Sequence, residues 1–558
     1  MKGKRIISLV VGAMLSTGIL AGCQKSEPTQ GAGNNTDSVK GDPITFTFFN
    51  GFGNATQFPD DNDFTNWVKE QTGVTIKVEY LAGDLNTKVG VMLASGDYPD
   101  FIYGWDAHQK FVDAGAAVPL NDYIEKYGTN IKKYQEPILK KSTQKDGKIY
   151  FIPPYREGVN NATASGGFYV QKRVLEEAGY PKITTLDQYF NILEDYKSKH
   201  PTTDGSSTIG FSVISDPTAF FTITNPGGAL AGYSNDGILQ FDPKTITGKL
   251  YANNDSSKKY WTKLNEEWNK GMIDPEAFTQ KIDQYMSKLA TGRVLGFFDY
   301  GWRLSNVQNS LHQQGKDEYQ YVAFPVVWDN SIVDRYQLPS TPITRDGISI
   351  STSCKDPVRA FKFIDWLMSE EVQKRINWGV KDKDYNVDSN GKMYRTPEQR
   401  EQLKNQDYIK KTGIGMFGYP WPVNSINAKY SDGNYWMPSG DPDEIAANYT
   451  DSDKKVLEKY GVKTWGEMFH PDKGNPWGEA WDVKLPDGSN EQLTNTKINE
   501  LMQEYVPKMI MAKSSSEFES LWNKYTSEIN KLDVKGLEQF ITNAIQERVK
   551  QWGTGESK

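Results

Sequence analysis

The chain of 558 residues carries 64 Lys and Arg against 71 Asp and Glu, a net charge of −7 with the basic residues spread throughout. That length exceeds one ordinary core and predicts two or three domains, while an acidic balance without a basic stripe argues against nucleic acid as a partner. Four His (His108, His200, His312, His470) and two Cys (Cys23, Cys354), none at ligand spacing, argue against a Cys/His metal site.

Residues 1–5 form a short positive segment with Lys2, Lys4 and Arg5, and 6–20 an apolar run broken only by small residues. The run is too short for a mature membrane span, so 1–22 reads as a cleaved signal peptide. It ends Leu20-Ala21-Gly22-Cys23, which resembles the lipobox of bacterial lipoproteins. That resemblance implies cleavage before Cys23 and a diacylglyceryl group on its sulfur, an anchor that needs no transmembrane helix. An ordinary secretory signal with a chance Cys is the alternative. Once Cys23 is lipidated no intramolecular disulfide is open to Cys354, which is either a reactive thiol or, more simply, a small core-facing residue. Residues 23–42 supply the anchor and then a polar tether rich in Gln, Ser, Thr, Gly and Asn.

The fold begins near Pro43. Residues 44–50 are a β-rich run ending at Gly51, 64–71 a helical stretch stopped by Gly73, and 74–80 an alternating strand. A helix over 86–93 and a short buried strand over 101–104 complete a strand–helix alternation that predicts a parallel α/β sheet. The alternation resumes with strand 167–170, helix 172–178 and helix 185–198, for which Thr184 or Thr185 is the cap. Strands follow at 294–298 and 347–351, then a helix over 357–368 with Pro357 in its first turn. Beyond 400 the pattern is mostly helical, at 497–511, 517–530 and 536–552, and no solenoid repeat is present.

Several segments resemble one family in order and spacing. The most specific is Leu93-Ala94-Ser95-Gly96-Asp97-Tyr98-Pro99-Asp100; others are Val118-Pro119-Leu120-Asn121-Asp122-Tyr123, Asp146-Gly147-Lys148-Ile149-Tyr150 and Asp356-Pro357-Val358-Arg359-Ala360-Phe361. Together they resemble family 1 extracellular solute-binding proteins of ABC transporters, in the long subgroup that includes alginate- and glycan-oligosaccharide-binding lipoproteins. The resemblance implies an α/β, two-lobe periplasmic-binding-protein-like fold with an interlobe ligand cleft, a hinge and extra C-terminal helices. The expected lobes are 43–155 plus about 300–400, and 156–299 plus about 401–558. It also implies an oligosaccharide ligand, ABC permease subunits as partners, a monomer, and a place on the outer face of the cytoplasmic membrane.

One departure concerns calcium. Alginate-binding members carry an acidic, Asn-rich loop after the helix that here is 186–198, but this chain has His200-Pro201-Thr202-Thr203-Asp204-Gly205 there. Asp204 alone cannot supply the oxygens calcium needs, so no cofactor and no metal are expected. A second acidic stretch, 382–391, fails the EF-hand register and reads as a hairpin turn at Asn390-Gly391.

Aromatic residues make up 13 % of the chain, with 15 Trp and 30 Tyr. Such flat rings suit the C–H faces of sugars, although most Trp in any protein serve packing. In α/β lobes a ligand lies beyond the carboxyl ends of strands, which singles out Phe52, Trp105, Tyr155, Arg156, Tyr300, Trp302 and Arg303. Trp421 and Trp436 sit in irregular, Pro-rich segments and are added on that ground. Asp97 either bonds a sugar hydroxyl or caps the turn before Pro99. No catalytic residue is expected. The alternatives are a secreted glycoside hydrolase, which needs two carboxylates at set separation, and a peptide-binding lipoprotein.

Overall fold

The computed structural model describes residues 39–53, 55–154, 162–337 and 344–553. Cys23 and the leader lie outside them, as do Tyr155 and Arg156.

Two four-stranded sheets organise the chain. The first places Ile44–Asn50 between Val74–Tyr80 and Phe101–Tyr103, all parallel, with Ser349–Ile350 antiparallel on the outer edge. Its two-residue period sends Phe46 and Phe48 to one face and Phe49 to the other, so both faces are buried under helices. The helix Asp63–Thr72 begins where Asn62 accepts from the backbone N–H of Phe64 and Thr65, and ends at Gly73 with φ 73°.

The second sheet runs Tyr321–Phe324, Gly166–Gln171, Val294–Tyr300, Ile209–Ser212. Gly166–Gln171 is antiparallel to both neighbours, so this sheet is mixed rather than wholly parallel. Its core extends into the C-terminal helices Asn490–Ile510, Ser515–Ile529 and Val534–Trp552 through Ile498, Val506, Trp522 and Ile545.

The chain passes between the two halves three times: after 154, after 337, and between the helices Pro442–Ala447 and Asp451–Tyr460. The second and third passages correct the expected lobe boundaries. Tyr321–Phe324 pairs in the second sheet, so the return to the first lobe comes near 344 rather than 300. Phe417 and Trp421 lie in the first core, so the segment after 400 stays with lobe 1 until 447. Tail-to-lobe pairing is long-range and leaves no local trace in the sequence.

Candidate functional site

The carboxyl ends of the first sheet's parallel strands, Asn50, Tyr80 and Tyr103, stand level with one another. Asn50 and Tyr80 open into a cavity of about 500 Å³, walled by Phe52, Tyr419 and, from the other lobe, Asn306. A second cavity of about 420 Å³ lies between Trp105 and Asp106 of lobe 1 and Trp481 and Asp482 of lobe 2. Phe52 lines the first and Trp105 the second, and their ring centroids are 5.5 Å apart. The two cavities are therefore neighbouring halves of one interlobe groove, each of a size ordinary for ligand pockets.

Local backbone places the rings. A Cβ on Gly104 would come 2.8 Å from the Cα of His108, and one on Gly301 2.6 Å from the carbonyl oxygen of Ala164. Glycine alone fits both positions, and each immediately precedes a tryptophan: Trp105 of the second cavity and the exposed Trp302. Trp105 itself has φ 42°, a left-handed conformation unusual for a bulky residue and typical of strained functional sites. Phe52 meets the rings of both Trp105 and Tyr419 edge-on, and the Tyr419 hydroxyl bonds to that of Tyr103.

Lobe 2 contributes the opposite wall. The helix Gly301–Gln313 starts directly after Val294–Tyr300, so Trp302 lies in a first helical turn rather than in a loop. It is 62 % exposed, while Asn306, one turn on along the same face, borders the first cavity. Trp481 is 36 % exposed. These are the two Trp among the exposed large hydrophobics of the described residues, and each has an Arg guanidinium beside its ring, Arg303 at 4.9 Å and Arg345 at 5.0 Å.

The other sequence candidates divide. Tyr300 is half-buried, with its hydroxyl accepting from Asn225 Nδ2 at 2.9 Å. Arg303 turns inward: its Nε lies 3.4 Å from Asp299, and its guanidinium stacks between Trp302 and Phe221. Three corrections follow. Trp436 is fully buried, stacked on Tyr430 and donating to Gln373, and touches no groove. Trp421 is a core ring against Phe48, Phe101 and Phe417 and forms only the floor of the first cavity. Both were singled out because irregular segments suggest loops, yet these segments fold over a core. Asp97 is exposed on the amino-terminal side of Phe101–Tyr103, the edge away from the ring cluster. It caps nothing; Asp84 and Gly96 terminate the preceding helix.

Groups that sequence reasoning missed are Trp481, Tyr419 and Arg345. The run Trp477-Gly478-Glu479-Ala480-Trp481-Asp482 has the same aromatic-acidic character as Tyr103-Gly104-Trp105-Asp106, which is the sequence signal for Trp481. Burial, with Asp236 and Asp482 nearby, pushes the Glu479 carboxyl up to about 8, against the pull of Arg345. It therefore carries a proton at neutral pH and can donate as well as accept.

The hairpin Thr202–Thr203/Ser206–Ser207 occupies the loop read as having lost calcium, and Asp204 at its tip is held by Lys316 Nζ at 2.7 Å. The stretch read as a hairpin is one: Asn386–Val387 pairs with Met393–Tyr394, and Asp388 accepts from the backbone of Asn390 and Lys392.

Comparison with known proteins adds ancestry to this geometry. The bacterial extracellular solute-binding protein family profile matches residues 63–379. The fructooligosaccharide ABC transporter substrate-binding protein FusA of Streptococcus pneumoniae is 25 % identical over 371 residues, covering 62 % of this chain and 64 % of FusA, just under two thirds of that protein. Lipoprotein LipO of Bacillus subtilis is 24 % identical over 407 residues, covering 69 % of this chain and 74 % of LipO. Among solved structures, the alginate-binding protein AlgQ2 without calcium ion superposes with a TM-score of 0.64 at 18 % identity, covering 91 % of this chain and 99 % of that one. An EF-hand mutant of FusA in complex with fructo-nystose gives 0.65 at 19 % identity over 90 % and 99 %. These likenesses establish the two-lobe solute-binding fold.

Proposed function

We propose that this chain, which belongs to the bacterial extracellular solute-binding protein family, captures an oligosaccharide in its interlobe groove and delivers it to an ABC permease. Cys23 would carry the lipid that holds it on the outer face of the cytoplasmic membrane, and the protein would work as a monomer. The family is one of binding proteins, which sets the secreted hydrolase aside.

The observation that carries the reading is the pairing of exposed Trp481 on one lobe with Trp105 on the other across the second cavity, beside Phe52 in the first. Opposed flat rings grip sugar C–H faces, while Asn50 and Asn306 supply hydroxyl partners. A ligand bridging both walls favours the closed arrangement by its differential affinity for it.

Titration calorimetry of the secreted chain against defined neutral and acidic oligosaccharides tests this. Saturable binding of a glycan, with the sugar recovered intact, is expected. Binding of peptides alone, or cleaved sugar, would overturn it.

A further inference from the structure

The groove's charges are distributed unevenly. No ionisable acid or base other than Tyr lines the cavity of about 500 Å³; its polar side chains are Asn, Thr, Gln and Tyr. The second cavity holds Lys110, Arg345 and Lys484 against Asp106, Asp482 and Asp487. Lys110 is engaged by Asn86 at 3.1 Å and Asp487 at 3.4 Å. Lys484 is exposed, with Asp113 and Asp487 as its acidic neighbours.

Arg345 is the cation best placed for a ligand. It stands on the segment that enters lobe 1, 23 % exposed, with its guanidinium 5.0 Å from the ring centroid of Trp481. Three carboxylates already surround it: one terminal nitrogen lies 2.8 Å from Asp106, and Nε lies 3.1 Å from Asp346 and 3.6 Å from Asp482. Asp346 and Asp482 are buried, whereas Asp106 is 52 % exposed on the groove side, next to Trp105. A uronate or phosphorylated sugar approaching Arg345 must therefore compete with a carboxylate that is already seated.

We infer that the groove selects uncharged glycans, and that Asp106 is the specificity-determining residue because it withholds Arg345 from anionic ligands. The inference rests on the oligosaccharide reading and narrows it. A neutral pyranose or furanose can stack on Trp105 and Trp481 without disturbing the ion pairs. An acidic one gains nothing from Arg345 and meets Asp106 and Asp482 as like charges.

The test measures affinities of the wild-type secreted chain for neutral fructo-, xylo- and manno-oligosaccharides and for oligogalacturonate and oligoalginate, then repeats them with Asp106→Asn and with Asp106→Asn combined with Arg345→Gln. Wild type is expected to bind a neutral member at least roughly tenfold more tightly than any acidic one. Asp106→Asn should raise affinity for an acidic glycan by roughly tenfold, through a charge-assisted fork on freed Arg345, and the second substitution should abolish that gain. Asp106 is half-exposed, so unchanged melting of Asp106→Asn serves as the folding control. Tight wild-type binding of a uronate, or no gain in Asp106→Asn, overturns the inference and leaves the oligosaccharide reading standing. Failure of every glycan, neutral or acidic, overturns both.

Discussion

His312 Nε2, on a helix of the second lobe, stands 3.4 Å from Glu401 Oε2 on the first. The same imidazole bonds Asp317 of its own lobe at 2.7 Å through Nδ1, so it faces an acid from each side. On the groove's other flank, Lys110 of lobe 1 lies 3.4 Å from Asp487 of lobe 2. These pairs tie the two walls together beside the rings. The acid of each pair is more than half exposed, and ion pairs that reach solvent contribute about 1 kcal/mol or less. Glu401→Gln should accordingly weaken ligand binding by no more than about fivefold while leaving the melting temperature within a few degrees. Calorimetry and small-angle scattering of the liganded variant check this; a larger loss would make the pair part of the ligand site itself.

Trp302→Ala should lower oligosaccharide affinity by roughly tenfold or more, the loss of one stacked ring. Its exposure of 62 % means that little of the core depends on it. Thermal unfolding should therefore be nearly unchanged, and the pair of measurements separates recognition from packing.

Trp436→Ala is the converse case. The ring is fully buried against Tyr430 and Tyr134, and its indole N–H donates to Gln373 at 2.9 Å. Deleting it should cost about 3–5 kcal/mol of stability. Denaturant unfolding reads that loss, and the folded fraction should keep its ligand affinity.

Stability should fall as pH rises towards 8, and Glu479 sets the upper part of that slope. Its carboxyl is raised from 4.5 to about 8 by burial first and by Asp236 and Asp482 next. The folded chain then holds a proton that the unfolded chain releases, so the contribution is present at low pH and lost through about 8. Asp299 and Asp346, pushed up to about 6, act in the same direction lower down. Buried His108, lowered to about 3, acts oppositely, stabilising as pH rises towards 6.5. Between 6.5 and 8.5 Glu479→Gln should therefore flatten the melting profile and gain about 2 kcal/mol on wild type at the alkaline end, partial solvent access limiting the gain. An unaltered slope would remove Glu479 as its source.

Calcium or a chelator should leave the melting temperature unmoved. Asp204, the one acid of the 200–208 loop, already has Lys316 Nζ as its cation at 2.7 Å, and one carboxylate falls short of the six or more oxygens calcium takes, about 2.3–2.6 Å away. A calcium-dependent rise in melting temperature would contradict this.

The first lobe's strands could be read from the sequence because each is a β-rich run bounded by Gly or a turn: Gly51 follows 44–50 and Gly73 precedes 74–80. The second sheet's mixed order could not: Gly166–Gln171 pairs with strands more than a hundred residues away, and antiparallel placement is decided by that remote partner. Trp105 and Trp302 were readable because a strand ending in Gly-Trp or Tyr-Gly-Trp leaves the ring at a carboxyl edge. Trp421 and Trp436 misled because irregular backbone also covers cores when its own hydrogen bonds are met, as Trp436 N–H to Ala428 shows. Asp97 lies between the helix 86–93 and the strand 101–104, and that order alone puts it at the amino edge of a parallel sheet, away from the ligand side.

Three passages of the chain between the halves have a consequence for dissecting the molecule. Tyr321–Phe324 completes one sheet and Ser349–Ile350 edges the other, so neither lobe is an unbroken stretch. Nicking the chain at any single passage leaves the halves covalently joined by the remaining two, and a fragment spanning only 39–154 lacks both its edge strand and the helical cover of Pro357–Leu367. Exchanging a lobe for that of a relative therefore means matching three junctions at once, and a chimera joined at one seam should fail to fold.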